Sequence, residues 1–263
     1  MKYMLLLLGV LGLVLGGEAL AEESHIELSE ALARGQVHCT ILAGEDLTYA
    51  VVRIQSYETS PIIVVIVPGT RLVPAAAGYQ TMGVIERVTV YLLPGEEKEV
   101  LVRTACLDMD LPQPEAQAAL IVSPADPRIA RICLTRAFGE AGFRVRQFAI
   151  WTLLTCPESP DDYAGLGFGE EFFNALEELG FPLDLLIYFM IVPEVVYELS
   201  AEELAIIALA FTYAGIPVDP ETAADDLYRL FTTGGPTTGE LRLVREIFTE
   251  AGIPIEEFPA LNF

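Results

Sequence analysis

Val37-His38-Cys39-Thr40-Ile41-Leu42 is the stretch on which the reading of the fold turns. Val37, Cys39 and Ile41 fall on one side of an extended chain. His38, Thr40 and Leu42 fall on the other, which is the period-two pattern of a half-buried strand. Working outward, strand-like runs recur at Tyr49 to Ser56, Ile62 to Val67, Thr81 to Ile85, Arg87 to Leu93 and Glu99 to Ala105. Turn formers separate them at Gly44-Glu45-Asp46, Ser60-Pro61, Pro68-Gly69 and Pro94-Gly95,. Six or seven short strands so spaced predict an immunoglobulin-like β-sandwich. Ahead of them, Leu28 to Arg34, ending at Gly35, predicts a short helix.

After Pro112 the apolar residues recur every three or four positions, the period of a helix,. Helices are predicted near Pro127 to Glu140, Arg144 to Thr155, Glu170 to Leu179, Ala201 to Ala214, Pro220 to Thr232 and Thr238 to Ala251. Ser200 with Glu203 forms a capping box for one of them. Leu183 to Val192 is a continuous apolar run, too short to span a bilayer and read as a buried helix,. Ala141-Gly142, Leu179-Gly180, Ala214-Gly215 and Ala251-Gly252 repeat one stop signal, with glycine just past a helix end,. The near-even spacing suits a helical repeat, but the segments between align poorly, so reuse of one good terminator is the preferred reading. Gly165-Leu166-Gly167-Phe168-Gly169 lacks the spacing and the preceding strand of a nucleotide loop, and is read as a solvated linker,. The expected class is α+β: an N-terminal immunoglobulin-like β-sandwich followed by an all-α C-terminal domain. The expected divisions are a signal peptide over 1–21, a β-sandwich domain with a short N-terminal helix over 22–111, and a helical domain over 112–263.

The signal peptide rests on Lys2, the apolar run from Met4 to Leu15 and the small residues of Ala19-Leu20-Ala21,. It predicts a secreted, periplasmic or cell-surface protein with no transmembrane helix once the signal is removed. The formal charge of −23 argues against nucleic acid and anionic membranes as partners, because both repel it,. A protein or cell-envelope component remains as the partner class. In an oxidising compartment the four cysteines, Cys39, Cys106, Cys133 and Cys156, are expected to form disulfides, with three connectivities open,. Alternation turns Cys39 and Cys106 into the predicted sandwich, where an inter-sheet bridge is natural. Cys156 sits where it could staple its helix to that of Cys133. No cysteine or histidine spacing suits a metal, and neither metal nor cofactor is expected.

Cys106-Leu107-Asp108, Pro112-Gln113-Pro114 and Gln147-Phe148-Ala149-Ile150-Trp151 form one further constellation. It resembles the thioester domains of bacterial surface adhesins, over about Cys106 to Thr155. The resemblance implies Cys106 as the thiol and Gln147 as the acyl donor of an intramolecular thioester able to capture an amine. Arg146 stands where that family has Thr. No Ser-His-Asp order, His-Glu-x-x-His or lipase elbow is present,. The residues therefore predict an exported, non-enzymatic interaction or envelope-associated protein with no catalytic residues, and a covalent adhesin using Cys106 and Gln147 as the alternative.

Overall fold

The computed structural model of the chain describes residues 25–45 and 48–262. The signal peptide expected over 1–21 lies outside the described residues. β1 (His25–Glu27) leads into α1 (Leu28–Ala33), the short helix expected there. Then follow β2 (Val37–Ala43), β3 (Tyr49–Ser56), β4 (Ile62–Ile66), β5 (Arg71–Pro74), β6 (Met82–Val84), β7 (Val88–Leu92), β8 (Glu97–Cys106) and β9 (Ala119–Ser123).

These strands do not form an immunoglobulin-like sandwich. The order β2-β3-β8-β6-β5-β9 closes on itself as a six-stranded antiparallel barrel. The correction comes from two strands that the sequence reading left as loop. β5 and β9 pair through Leu72↔Val122, and β9 also pairs β2 through Ile41↔Leu120. β9 thus joins two edges that a sandwich would leave open, and closure removes their unpaired backbone groups. The remaining strands form a small sheet, β1-β4-β7, with β4 in the middle. All five β4 residues are buried. That fits a continuous Ile62-Ile63-Val64-Val65-Ile66 run with both faces covered. The α+β class stands.

The helices are α2 (Pro127–Cys133), α3 (Arg136–Glu140), α4 (Phe143–Thr155), α5 (Glu170–Glu178), α6 (Leu183–Ile191), α7 (Ala201–Tyr213), α8 (Ala223–Thr233) and α9 (Thr238–Glu250). The Pro127 to Glu140 segment divides at Thr135, whose hydroxyl accepts from Phe138 N–H and starts a new helix. None of the described helices is long and apolar enough to cross a membrane.

Two apolar cores result. The first unites the barrel, the small sheet, α2 to α4 and α9, with Phe138, Phe148, Val244 and Phe248 at its helical end. The second belongs to residues inserted between α4 and α9: Phe172, Leu176, Phe189, Phe211 and Leu227 pack together there. Of the four predicted glycine stops, Gly180, Gly215 and Gly252 take the left-handed conformation, while Gly142 instead precedes α4 at φ −67. Gly215 shows the mechanism: Ile216 N–H donates back to Phe211 O at 2.9 Å, and the Ile216 side chain is buried,. Gly252 ends a helix of the other core, so the stops do not mark units of one repeat.

A narrow neck joins the inserted helices to the rest. Leu166 N–H donates to Gly234 O at 3.0 Å, tying the outgoing strand of chain to the returning one. A Cβ at Gly165 would stand 2.0 Å from Thr233 O, so only glycine permits this approach,. Here the expected solvated linker is instead a clasp, with Leu166 buried. Arg144, from α4, closes it. Its Nε donates to Glu240 Oε1 at 2.7 Å and its Nη2 donates to Gly235 O at 3.1 Å. Glu240 is fully buried and also accepts from Thr237 N–H, as the distal half of the α9 capping box,.

The expected disulfides are absent, and all four cysteines are free thiols. Cys39 lies opposite Ile54, which lies opposite Lys98 on β8. Cys106 is eight residues farther along that strand, about 27 Å at ~3.4 Å per residue. A disulfide needs Cα atoms within about 7 Å. Cys133 neighbours Arg146 near the start of α4, whereas Cys156 caps its far end, about 15 Å away at ~1.5 Å per residue,. Cys156 Sγ is turned to Glu257 O instead.

Candidate functional site

The contact that stands out chemically lies where β8 outruns its neighbour. β3 pairs with β8 as far as Tyr49↔Arg103, and Thr104 N–H makes the last bond on that side, to Thr48 O. On the other side β6 continues, with Met82 opposite Cys106 and Leu107 N–H donating to Thr81 O at 2.9 Å. Cys106 thus reaches the end of β8 with its own N–H and C=O unmatched by β3. Buried backbone groups must find partners.

Gln147 of α4 supplies both. Cys106 N–H donates to Gln147 Oε1 at 2.8 Å, and Gln147 Nε2 donates to Cys106 O at 2.7 Å. The carboxamide stands in for a missing residue of strand. Gln147 is fully buried and Cys106 is 1% exposed. α4 is buried over almost its whole length, Phe148, Ala149, Ile150 and Trp151 included. The burial of both partners keeps water away from the pair.

The two residues paired by the sequence motifs are therefore in contact, across 41 positions of chain. The third motif element lies beside them. Pro112 O accepts from Gln80 N–H at 2.9 Å. The Gln80 carboxamide, oriented to satisfy both its ends, accepts from Gln113 N–H at 3.3 Å and donates to Asp108 O at 3.0 Å. Asp108 Oδ2 accepts from Thr81 N–H at 2.7 Å. Gly83 permits the close fit of this corner, since a Cβ there would meet Leu107 Cδ2 at 2.6 Å.

Burial pushes the Cys106 thiol up to about 12, the negative charge of Asp108 adds to the rise, and a hydrogen bond from Gln80 opposes it. The sulfur is thus protonated at neutral pH and a poor nucleophile by itself. The carboxamide is better prepared. A backbone N–H aimed at Oε1 stabilises negative charge on that oxygen, which is what attack at Cδ would create. The arrangement brings the Gln147 carboxamide to the residue that bears this thiol, through bonds to the Cys106 backbone. It can equally act as a structural rivet between barrel and helix.

Other residues weighed from the sequence are placed apart from this pair. Cys39 and Cys133 are partly buried, each with its thiol raised to about 12 by desolvation. Cys156 is exposed. Gln80 and Thr81, which complete the corner, carried no motif that marked them. The Arg144–Glu240 pair was half legible, because Thr237 three residues before Glu240 is a capping-box spacing,.

A cleft of about 590 Å³ opens close by, between the barrel rim at Thr48 and Gln113, the start of α4 at Phe143, and Phe168, Phe172 and Ile216 of the inserted helices. Compared with protein-family models, with curated proteins and with solved structures, the chain matches none.

Proposed function

We propose that this chain is an extracytoplasmic interaction protein that captures its partner covalently, through a thioester between Cys106 and Gln147. One observation carries the reading: the reciprocal 2.8 Å and 2.7 Å hydrogen bonds that hold the Gln147 carboxamide against Cys106. The likeness of the Cys106, Pro112-Gln113 and Gln147 to Trp151 elements to adhesin thioester domains supports it. So does the dry surrounding, because a thioester persists only where water is excluded.

The chemistry balances without a co-reactant. Cys106 Sγ bonds to Gln147 Cδ, the Cδ–Nε2 bond breaks, and the thiol proton leaves with the amide nitrogen as ammonia. A primary amine on the partner then attacks Cδ. The new C–N bond forms, the C–S bond breaks, and a proton returns to the sulfur. Cys106 N–H stays aimed at the oxygen that bears negative charge in both steps.

Intact mass of the unreduced protein tests this. The expected result is a mass lower by one ammonia, regained as one methylamine after treatment with that amine, and no loss in Cys106→Ala. A chain with full mass and four reactive thiols would overturn the proposal. It would leave a non-covalent interaction module in which Gln147 only joins α4 to the barrel.

A further inference from the structure

The apolar run that the sequence predicts as a buried helix is buried on one side only. In α6, Leu186 and Phe189 enter the second core. Leu183, Ile187, Met190 and Ile191 are exposed, Ile191 by 72%. Their spacing, i, i+4, i+7 and i+8, places these four on one face of the helix. A helix apolar all round belongs inside a protein. Single apolar residues on a surface are ordinary, but a whole helix face of them marks a contact surface.

Charge narrows what fits there. From Gln147 to Tyr228 the chain holds sixteen Asp and Glu and no Lys, Arg or His. Asp184 shares the open side of α6 with Tyr188 and Ile191, at three- and four-residue spacing,. Glu177 and Glu178 precede the helix, and Glu194 and Glu198 follow it, all exposed. Tyr197, exposed between the last two, donates its hydroxyl to Asp225 Oδ1 at 3.1 Å and so brings another acid to this end. The face is thus apolar along its length and acidic at both ends. A second copy packed α6 to α6 would set acid against acid, and an anionic lipid surface would meet the same repulsion. A surface bearing cations around an apolar strip is complementary. α6 is about 13 Å long at ~1.5 Å per residue, which matches about two and a half turns of a helix laid along it.

We infer that the outer face of α6 docks an amphipathic helix of a partner protein, apolar on one side with Lys or Arg flanking that side. The apolar side chains lie on Ile187, Met190 and Ile191, and the cations reach Asp184, Glu194 and Glu198. The inference stands apart from the thioester reading, because the Cys106–Gln147 pair lies in the other core.

The probe is a peptide of two repeats of Leu-Lys-Lys-Leu-Leu-Lys-Leu, acetylated and amidated, whose leucines gather on one helical face. One control has the same residues reordered so that the leucines spread round the helix. A second control has Glu for every Lys. Titrated into the full chain by calorimetry, the probe is expected to bind about tenfold tighter than either control, through its buried leucine face. Amide shift changes are expected to centre on Ile187 and Ile191. Ile187→Ser with Ile191→Ser, at exposed positions where folding is little affected, is expected to weaken binding about tenfold. Asp184→Asn with Glu194→Gln and Glu198→Gln is expected to weaken it and to flatten its dependence on salt.

Equal binding of the reordered peptide, or no effect of the paired Ser substitutions, would mean diffuse attraction to an acidic chain and would overturn the inference. Two other occupants would overturn it as well. One is a dimer in sedimentation that the paired Ser substitutions abolish. The other is binding to phosphatidylcholine vesicles that the same substitutions abolish. None of these readouts depends on the mass that reports the thioester.

Discussion

The barrel-centred core and the inserted helical core solve the same packing problem with different materials. In the first, several buried polar side chains are held by directional bonds: Gln147 to the Cys106 backbone, Arg144 to Glu240, Thr152 to Tyr163. The second is held by aromatic rings. Phe168, Phe172, Phe211 and Phe231 meet edge-on, tilted or stacked at centroid separations of 4.7 to 6.4 Å. Directional contacts fix a geometry, whereas ring packing tolerates small shifts. The candidate site sits in the region whose geometry is fixed.

The largest expected effect breaks the joint between the two. Arg144→Met leaves Glu240 buried without its cation, which costs about 3 to 5 kcal/mol. Denaturant unfolding should show that loss. Hydrogen exchange should show α5 to α8 opening before β3 and β8, since the clasp at Leu166 and Gly234 loses its cross-link. A uniform loss of protection in both regions would show instead that the two cores unfold as one.

A smaller effect comes with alkali. The Cys39, Cys106 and Cys133 thiols are raised from the ordinary 9.0 to about 12 in the folded protein, each chiefly by burial. A raised folded value means that stability is intact below about pH 9 and is lost as pH rises towards 12. Each thiol contributes a slope of up to about 1.4 kcal/mol per pH unit in that window. All three belong to the first core, so alkali should weaken it selectively. If Cys106 is held in a thioester it does not titrate, and the slope between about pH 9 and 10 falls by about a third; above that the buried Tyr163 hydroxyl, raised from 10.0 to about 12, also contributes,. Stability measured from pH 8 to 11, before and after methylamine, reads the difference.

The smallest effect concerns the outer face of the inserted helices. Leu209 is 72% exposed on α7. Leu209→Glu should change stability by no more than about 0.5 kcal/mol, as surface substitutions do. A larger loss, seen by thermal unfolding, would mean that this face is covered by another surface in solution.

What was legible in the sequence follows from how far each signal reaches. β3 was visible to the residue, because Tyr49 to Ser56 alternates and turn formers bound it. The capping box at Ser200 and Glu203 was visible because it is local. Barrel closure was not, since β9 is only five residues long and its meaning lies in pairing with β2 and β5, far away in the chain. The disulfide expectation failed for a related reason: alternation gives the face that Cys39 and Cys106 share but not their distance along the strands. At the candidate site the motifs named Cys106 and Gln147, while Gln80, Thr81 and Arg144 entered only through three-dimensional neighbours.

The way Gln147 fills the gap left by β3 also sets a clock. Its carboxamide finds both partners only when β8 is paired to its last rung and α4 has settled on the barrel end. A chain still being made, or one half-assembled, presents no such pair. The thiol and the amide are kept apart by 41 residues of unfolded chain until the fold is complete. Any reaction between them is therefore conditional on a finished structure, and its product doubles as a record that folding succeeded.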